Sequence, residues 1–343
     1  MNLQSLDLPS IWFALIGILL TGYAILDGFD LGIGMLLPTV KDDTDRRVLL
    51  NAIGPVWDGN EVWLLVGGGG LFAAFPDVYA TVFSGFYLPF ILLLVALIFR
   101  AAAIEFRSKE ASPVWRKTWD SLFSGASYLI AMLTGVALSN IAVGLPLRPD
   151  REYGGGFWNL FHPHSIALGL TTVALFMMHG SIFAVLKTEG ELNQMMRERT
   201  KKAMIFFGVM YGVLSLTTFI FVPQLGNVIR AVPALFILPL LTLLAAANIP
   251  REISRGRENA AFVSSSLVIV GLLLLFGCGI YPNLVPSNPN PELSLTIRNA
   301  AASTKTLETM TIMAVVGVPF VLAYTIVIYR VFGGKVDKAH LHY

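Results

Sequence analysis

Four carboxylates lie inside two neighbouring apolar segments of this chain: Asp27 and Asp30 in Leu-Asp-Gly-Phe-Asp-Leu-Gly-Ile-Gly (26–34), and Asp58 and Glu61 in Trp-Asp-Gly-Asn-Glu-Val-Trp (57–63). A charged side chain at the centre of a bilayer costs roughly 2.5–3.5 kcal/mol on insertion scales, and more on an isolated helix. Acids retained at that cost face a bundle interior or a water-filled path, where they handle protons, bind ions or hold a polar ligand. Asp27 with Asp30, and Asp58 with Glu61, have the i, i+3 spacing that sets each pair on one helix face. Asn51 and Gly54 extend the second pair into a polar stripe.

Depth sharpens the signal. Asp27 stands eleven residues from the end of its segment near Pro38, and Asp58 stands eleven from the start of the next near Arg47. At 1.5 Å per helical residue, both sit roughly 16 Å from the same membrane face. The two segments run antiparallel and share a short loop, so Asp58 is expected opposite Asp27. Asp58→Asn is therefore expected to do more harm than Glu61→Gln. Acids at matched depth cannot all be charged without a partner. Arg100, at the end of the third segment, is the expected counter-ion, with Asp30 as its main partner. Two roles stay open for this group: an ion-pair network that only fixes helix packing, or a proton path or polar-ligand site. Trp57 and Trp63 flank the second acidic pair, where a ring at depth stacks on a planar ligand, lines a gas channel or simply packs.

These residues need a membrane scaffold, and the composition supplies one. The chain has 343 residues, is 55% hydrophobic with mean hydropathy +0.69, and is only 13% charged. That composition belongs to polytopic membrane proteins. Nine segments are long enough to cross a hydrocarbon core: 11–37, 48–75, 78–104, 119–143, 163–186, 202–222, 228–248, 260–281 and 308–332. Pro233 and Pro239 make 228–248 the least regular of them. Pro55 lacks an N–H and is expected to kink the second span. Gly28 and Gly32 have the spacing of close membrane-helix contacts, and Gly67 to Gly70 would admit another backbone.

Nineteen of the 24 Lys and Arg residues fall on alternate loops and segment ends; the other five are Arg148, Arg151, Arg230, Arg298 and Lys305. The positive-inside rule then predicts a cytoplasmic C-terminus and, with an odd number of crossings, an external N-terminus. The first ten residues lack the basic region of a cleavable signal, so the first span is expected to be retained. The loop near 144–162 divides the chain into two halves, 1–146 with spans one to four and 147–343 with spans five to nine. The single cysteine, Cys278, excludes a disulfide framework and a cysteine-rich metal centre. His162, His164 and His179 all belong to the fifth span, and His340 and His342 to the tail. One helix cannot supply both axial ligands of the same heme, so a heme held wholly within this chain is not expected, nor any metal. The net charge of +2 says little about partners; no nucleic acid is expected among them.

The strings Asp27-Gly-Phe-Asp-Leu-Gly-Ile-Gly34, Arg46-Arg47, Asn51-Ala-Ile-Gly-Pro-Val-Trp-Asp-Gly-Asn-Glu-Val-Trp63, Phe72-Ala-Ala-Phe75 and Phe83-Ser-Gly-Phe-Tyr87 together resemble subunit II of the cytochrome bd-type quinol oxidases. The resemblance continues in order through Arg100, Glu105-Phe-Arg-Ser-Lys109, Trp119-Asp120 and Ser294-Leu-Thr296. The variant Ile-Glu-Phe-Arg at 104–107 is similar to the branch that includes cyanide-insensitive oxidases. The resemblance implies an all-α protein of nine transmembrane helices, two four-helix bundles plus one peripheral helix, in the bacterial cytoplasmic membrane. It implies a complex that oxidises quinol, reduces dioxygen to water in aerobic respiration and generates proton motive force. Two b-type hemes and a heme d are then expected on the partner, subunit I. A small accessory single-helix subunit, and a structural quinone bound in this chain, are compatible with it. Residues matching Asp30, Asp58, Trp57 and Arg100 are associated in that family with proton delivery or a bound quinone, and one matching Trp63 with oxygen access. Glu61 departs from a Gln found in some members. A proton-coupled secondary transporter would also show buried acids and glycines, and a purely scaffolding subunit is a third reading.

Overall fold

The structure is a computed structural model that describes residues 7–222, 232–339 and 341–342. Its helices are α1 (Leu8–Leu36), α2 (Asp43–Ile53), α3 (Trp57–Ala74), α4 (Pro76–Gly85), α5 (Tyr87–Phe106), α6 (Pro113–Val143), α7 (Pro163–Lys187), α8 (Gly190–Phe221), α9 (Ile237–Ser254), α10 (Glu258–Ile280) and α11 (Thr304–Val331). A short antiparallel pair, β1 (Asn283–Val285) and β2 (Leu295–Thr296), folds the loop before α11. Among the described residues, eight helical segments are long and apolar enough to cross a bilayer, and the bent pair α3–α4 makes a ninth if it counts as one span. The expected span 228–248 begins in residues outside those described, as does Arg230; its described part is a turn at Pro233–Phe236 followed by α9.

Two expected spans are corrected. The segment 48–75 is not one helix, because α2 stops at Ile53 and α3 starts at Trp57. Pro55 has no N–H to donate, and the adjacent bonds tighten: the Gly54 N–H donates to the Leu50 carbonyl at 2.7 Å and the Val56 N–H to the Ile53 carbonyl at 2.9 Å. The segment 78–104 is divided as well, since α3 and α4 bend by 120° at Phe75 and α5 begins only at Tyr87. Pro76 suits the first position of α4, where a missing N–H costs nothing. Phe75, fully buried, pins the corner. α8 differs in the other direction: it starts at Gly190, twelve residues before the apolar stretch at 202–222. Glu, Gln, Met, Arg and Lys are good helix formers and carry the helix beyond the apolar zone.

α7 is the central helix, packed on α1, α6, α8 and α10, whereas the apolar window of α11 has no buried residue. Glycines set the closest approaches. A Cβ on Gly32 would collide with the Phe176 carbonyl and the Gly180 backbone, so α1 and α7 touch main chain to main chain. Gly135 and Gly169 do the same for α6 and α7. Gly67 and Gly70 face Leu19, Leu20, Ile16 and Trp12 of α1, while Gly68 and Gly69 have open space beside them. The apolar core runs through both halves of the chain, with Leu31, Met35 and Ile130 in one cluster with Ala174, Ile182 and Ile253.

Ion pairs close the two ends. At one end, buried Arg107 donates to Asp120 at 2.5 Å and Asp43 at 2.7 Å, with Arg46 on Asp120 at 3.0 Å and Arg116 on Asp43 at 2.6 Å. This staples α2, the end of α5 and the start of α6. Asp43 lies outside the spanning helices: burial alone would raise its carboxyl, but Arg107 and Arg116 hold it below the usual carboxylate range. The tail crosses the same end, with Lys335 on Glu258 at 2.6 Å and Lys338 on Asp45 at 3.0 Å. At the other end Arg298 pairs with Asp7 at 2.7 Å.

Gly32→Ala is expected to destabilise the detergent-extracted protein by the roughly 1–3 kcal/mol that overpacking costs, read as a lower apparent melting temperature. Gly208→Ala, beside open space on α8, should be neutral or stabilising. Equal stability of the Gly32→Ala protein and its parent would contradict the backbone contact.

Candidate functional site

Three helices bring a charged group into the apolar interior, and the local pattern of each explains which side chain arrives. On α1, Tyr23, Asp27 and Asp30 follow one another at four and three residues and share a face. On α3 the buried positions are Asn60, Gly67 and Ala74, a strict repeat of seven that turns one narrow stripe inward. On α5, Arg100 is buried with Ala96 and Ala103, small neighbours that leave room for its long side chain. Asp27, Asp30 and Arg100 are all 0% exposed.

The arginine sits at the middle of the group. Its Nη1 donates to Asp27 Oδ2 at 2.9 Å, and its Nη2 donates to Asp27 Oδ1, a fork-to-fork pair. Asp30 Oδ2 lies 3.7 Å from Nη2, and Glu61 Oε2 lies 3.6 Å from Nη1. Asn60 Nδ2 donates to Asp30 Oδ2 at 2.8 Å and to the Leu26 carbonyl at 3.2 Å. Tyr329, from α11, donates its hydroxyl to Asn60 Oδ1 at 2.8 Å. One arginine cannot balance three carboxylates in a dry interior, so the surplus is met by protons or by charge from outside this chain. Four polar atoms in the cluster are buried without a hydrogen-bond partner: Tyr23 OH, Asp30 Oδ1, Glu61 Oε2 and Arg100 Nε. Buried polar groups are nearly always satisfied, so such a concentration marks a place for water, a transferable proton or a polar ligand.

The expected residues divide. Asp27, Asp30, Glu61 and Arg100 come together as a cluster, and Arg100 is a counter-ion as expected, although its bidentate partner is Asp27 and not Asp30. Asp58 does not join them. It stands two residues before Asn60, about 200° around a helix of 3.6 residues per turn, and is exposed on the outer face of α3. The expected match with Asp27 assumed a continuous helix from Arg47, and the break at Gly54–Val56 removes that register. The polar stripe is cut at the same place: Asn51 lies across the break and accepts from the His342 N–H at 2.8 Å. Trp57 is half-buried against the core near Leu26, and the ring of Trp63 lies against Gly22 of α1, where a Cβ would not fit. Sequence reasoning missed three members. Tyr23 could have been found from its i−4 position to Asp27 and Asn60 from its seven-residue spacing to Gly67; nothing in the sequence pointed to Tyr329.

Two of the span histidines, His164 and His179, have both ring nitrogens engaged by the protein, whereas His162 uses one and leaves its buried Nε2 without a partner. His179 is buried with Nδ1 on Ser265 Oγ at 2.8 Å and Nε2 on the Ile25 carbonyl at 3.0 Å. His164 engages Ser139 at 2.6 Å and Thr218 at 3.1 Å, and His162 caps α7. His340 is outside the described residues. Among those described, no three His, Cys, Asp or Glu side chains are arranged to hold a metal ion.

Comparison with known proteins gives concordant results. The family described as cytochrome bd terminal oxidase subunit II matches residues 8–332. The chain is 36% identical over 367 aligned positions to the protein named cytochrome bd-I ubiquinol oxidase subunit 2 of Escherichia coli (strain K12), covering 96% of this chain and 95% of that one. It is 33% identical over 335 positions to cytochrome bd ubiquinol oxidase subunit 2 of Bacillus subtilis (strain 168), covering 96% and 97%. The solved bd oxidase of Geobacillus thermodenitrificans contains a chain of similar fold, with a TM-score of 0.80 at 16% identity, covering 95% of this chain and 99% of that one.

Removing one partner of a buried ion pair costs about 3–5 kcal/mol, because the other charge is left uncompensated. Arg100→Ala should therefore sharply reduce the folded protein recovered from membranes, and adding Asp27→Asn should restore part of it. In a double-mutant cycle the coupling of Arg100 to Asp27 should exceed its coupling to Asp30. For the stability of this chain, Glu61→Gln should matter more than Asp58→Asn, the reverse of the order read from the sequence. Additive losses at Arg100 and Asp27 would refute the pairing.

Proposed function

Since this chain belongs to the cytochrome bd terminal oxidase subunit II family, we propose that its buried Arg100 cluster handles protons for a membrane quinol oxidase of which the chain is the second subunit. The complex is an oxidoreductase of the bacterial cytoplasmic membrane, crossed many times by this chain. Quinol gives up electrons together with protons, and dioxygen takes up electrons with an equal number of protons to become water. Where release and uptake lie at different depths, protons cross part of the membrane dielectric, and groups that accept and release them at depth serve that transfer. Family membership leaves the transporter reading without support.

One observation carries the proposal: two fully buried carboxyl groups, a half-buried third and a single buried arginine, with four unsatisfied buried polar atoms among Tyr23, Asp30, Glu61 and Arg100. In this reading Arg100 holds Asp27 as the fixed anion of the pair. Asp30 Oδ1 and Glu61 Oε2, each without a donor, are the atoms that take up and release protons. Glu61, with its side chain 19% exposed, is the group nearest the outside of this chain, and Asp58 is the acid that α3 turns toward whatever covers it. Tyr23 OH and Arg100 Nε are free donors, a set that also suits a quinone carbonyl, and half-buried Trp57 and Trp63 would wall the approach of quinone or dioxygen.

Heme in the complex supplies electron transfer and the reduction of oxygen. His179 and His164 have both ring nitrogens engaged and His162 has one, so the span histidines offer no pair of free nitrogens for axial ligation, and we assign the two b-type hemes and heme d to subunit I. We also assign the end that carries Arg46, Arg107, Arg116, Lys335 and Lys338 to the cytoplasm, by the positive-inside rule. Residues 1–146 and 147–343 are taken as the two bundle halves, packed through α1, α6 and α7. A single-helix accessory subunit, if there is one, would find bare apolar surface on α11.

The complex purified through a tag on this chain should show b-type and d-type visible bands. The His179→Ala complex should keep the same heme content per subunit. Heme bound to this subunit alone and lost on that substitution would overturn the assignment.

A further inference from the structure

α11 is peripheral, its apolar window bare, and polar bonds tie it down at its two ends. At the outer end Trp12 Nε1 donates to Thr311 Oγ1 at 3.1 Å and the Leu307 carbonyl at 3.3 Å. At the inner end the bond is Tyr329 OH to Asn60 Oδ1 at 2.8 Å, and Asn60 is itself bonded to Asp30. We propose that Tyr329 is a positioning residue for Asp30, acting through Asn60, so that the peripheral helix sets the state of the buried acid cluster. The idea rests on the proton-handling reading of that cluster given above.

An amide is polar end to end, and that polarity fixes how Asn60 can sit. Asn60 has one end that only accepts and one that only donates. Its donor end faces two acceptors, Asp30 Oδ2 at 2.8 Å and the Leu26 carbonyl at 3.2 Å, and its acceptor end faces the tyrosine hydroxyl. Turned over, the amide would set oxygen against two oxygens. The hydroxyl of Tyr329 completes the arrangement by giving Asn60 Oδ1 a donor, and without it a buried acceptor is left unpaired. Asn60 is the one hydrogen-bond donor on the Asp30 carboxyl among the described residues, so the setting of Asp30 depends on that amide. The titratable and charged groups that act on Asp30 are Asp27 of α1, Glu61 of α3, Arg100 of α5 and Tyr329 of α11, with Tyr23 of α1 beside Asp27 and Arg100. The ring of Tyr329 has its own support, edge-on to Phe29 at 6.5 Å, which in turn stacks on Phe183 at 3.9 Å. Tyr329→Phe thus removes the hydroxyl and keeps the packing.

The test uses the whole purified complex, normalised to heme content. Tyr329→Phe should lower kcat of quinol oxidation roughly two- to tenfold, the effect of one lost hydrogen bond of ordinary strength, with KM unchanged. It should also move the pH profile of turnover. In an Asn60→Leu background the same change should do nothing further, because there is no amide left to orient. Unchanged turnover and pH profile in Tyr329→Phe, or losses that add to those of Asn60→Leu, would overturn the proposal. If Asp30→Asn itself leaves turnover and pH profile intact, the proton-handling reading is the one that fails. The positioning claim is then decided by melting temperature alone, in a cycle of Tyr329→Phe with Asp30→Ala. No hydrogen bond joins these two residues directly: non-additive losses that vanish in an Asn60→Leu background support transmission through Asn60, and additive losses, or a coupling that persists in that background, refute it.

Discussion

A guanidinium held out of water among three carboxyl groups is the constraint to which the rest of this chain answers. Each ion taken into an apolar interior loses several kcal/mol of hydration even after relaxation, and only close, well-aligned partners return it. Arg100 meets that demand by its two-point contact with Asp27. The contact requires α1 and α5 to stand at fixed depth and rotation, and α3 to bring Asn60 and Glu61 to the same level. Those requirements explain features that would otherwise be liabilities. Glycines that weaken a helix are tolerated at Gly32, Gly180, Gly135 and Gly169, because they let α1, α6 and α7 close together. The break at Pro55 divides a span, and α3 beyond it turns the Asn60 amide to Asp30 and the Glu61 carboxyl to Arg100, with Asp58 outside.

The ends of the helices are held by a different kind of interaction. Arg107, Asp120, Asp43, Arg46 and Arg116 form a partly solvated network where charge is cheaper to keep and geometry can be ideal. The network fixes α2 against α5 and α6 below the break. The tail from Lys335 to His342 spans from α10 and α7 back to α2, so that the first and second halves are joined at this face as well as through the apolar core. The Arg100 cluster is therefore clamped from one side and enclosed laterally, while α11 is attached at its periphery. A peripheral element with a polar bond into a rigid buried site is well placed to adjust that site without disturbing the fold.

Much of this was legible from residue types alone. Acids in apolar segments announce themselves because their cost is independent of topology, and the same is true of Arg100 as a counter-ion. Hydropathy located α1, α6, α7, α10 and α11 because each is a single uninterrupted helix. It failed at 48–104, where Pro55 and Phe75–Pro76 turn the chain inside continuous apolar sequence; hydropathy registers composition and is blind to direction. Asp58 was placed wrongly for the same reason, since helical register does not survive a break. Tyr329 was invisible because its role depends on where a helix far along the chain docks, which is a tertiary fact with no local pattern.

If the proposed role is right, the buried carboxyl groups around Arg100 exchange protons during turnover, with Asp58 outside that set. Redox-difference infrared spectroscopy of the intact complex tests it most directly, because a protonated carboxyl has a carbonyl stretch well separated from amide bands. A carboxyl signal should accompany reduction, diminish with Asp30→Asn or Glu61→Gln, and shift in deuterated water. A spectrum in which neither substitution alters any carboxyl band would contradict a proton-handling role and leave the cluster as a structural ion network.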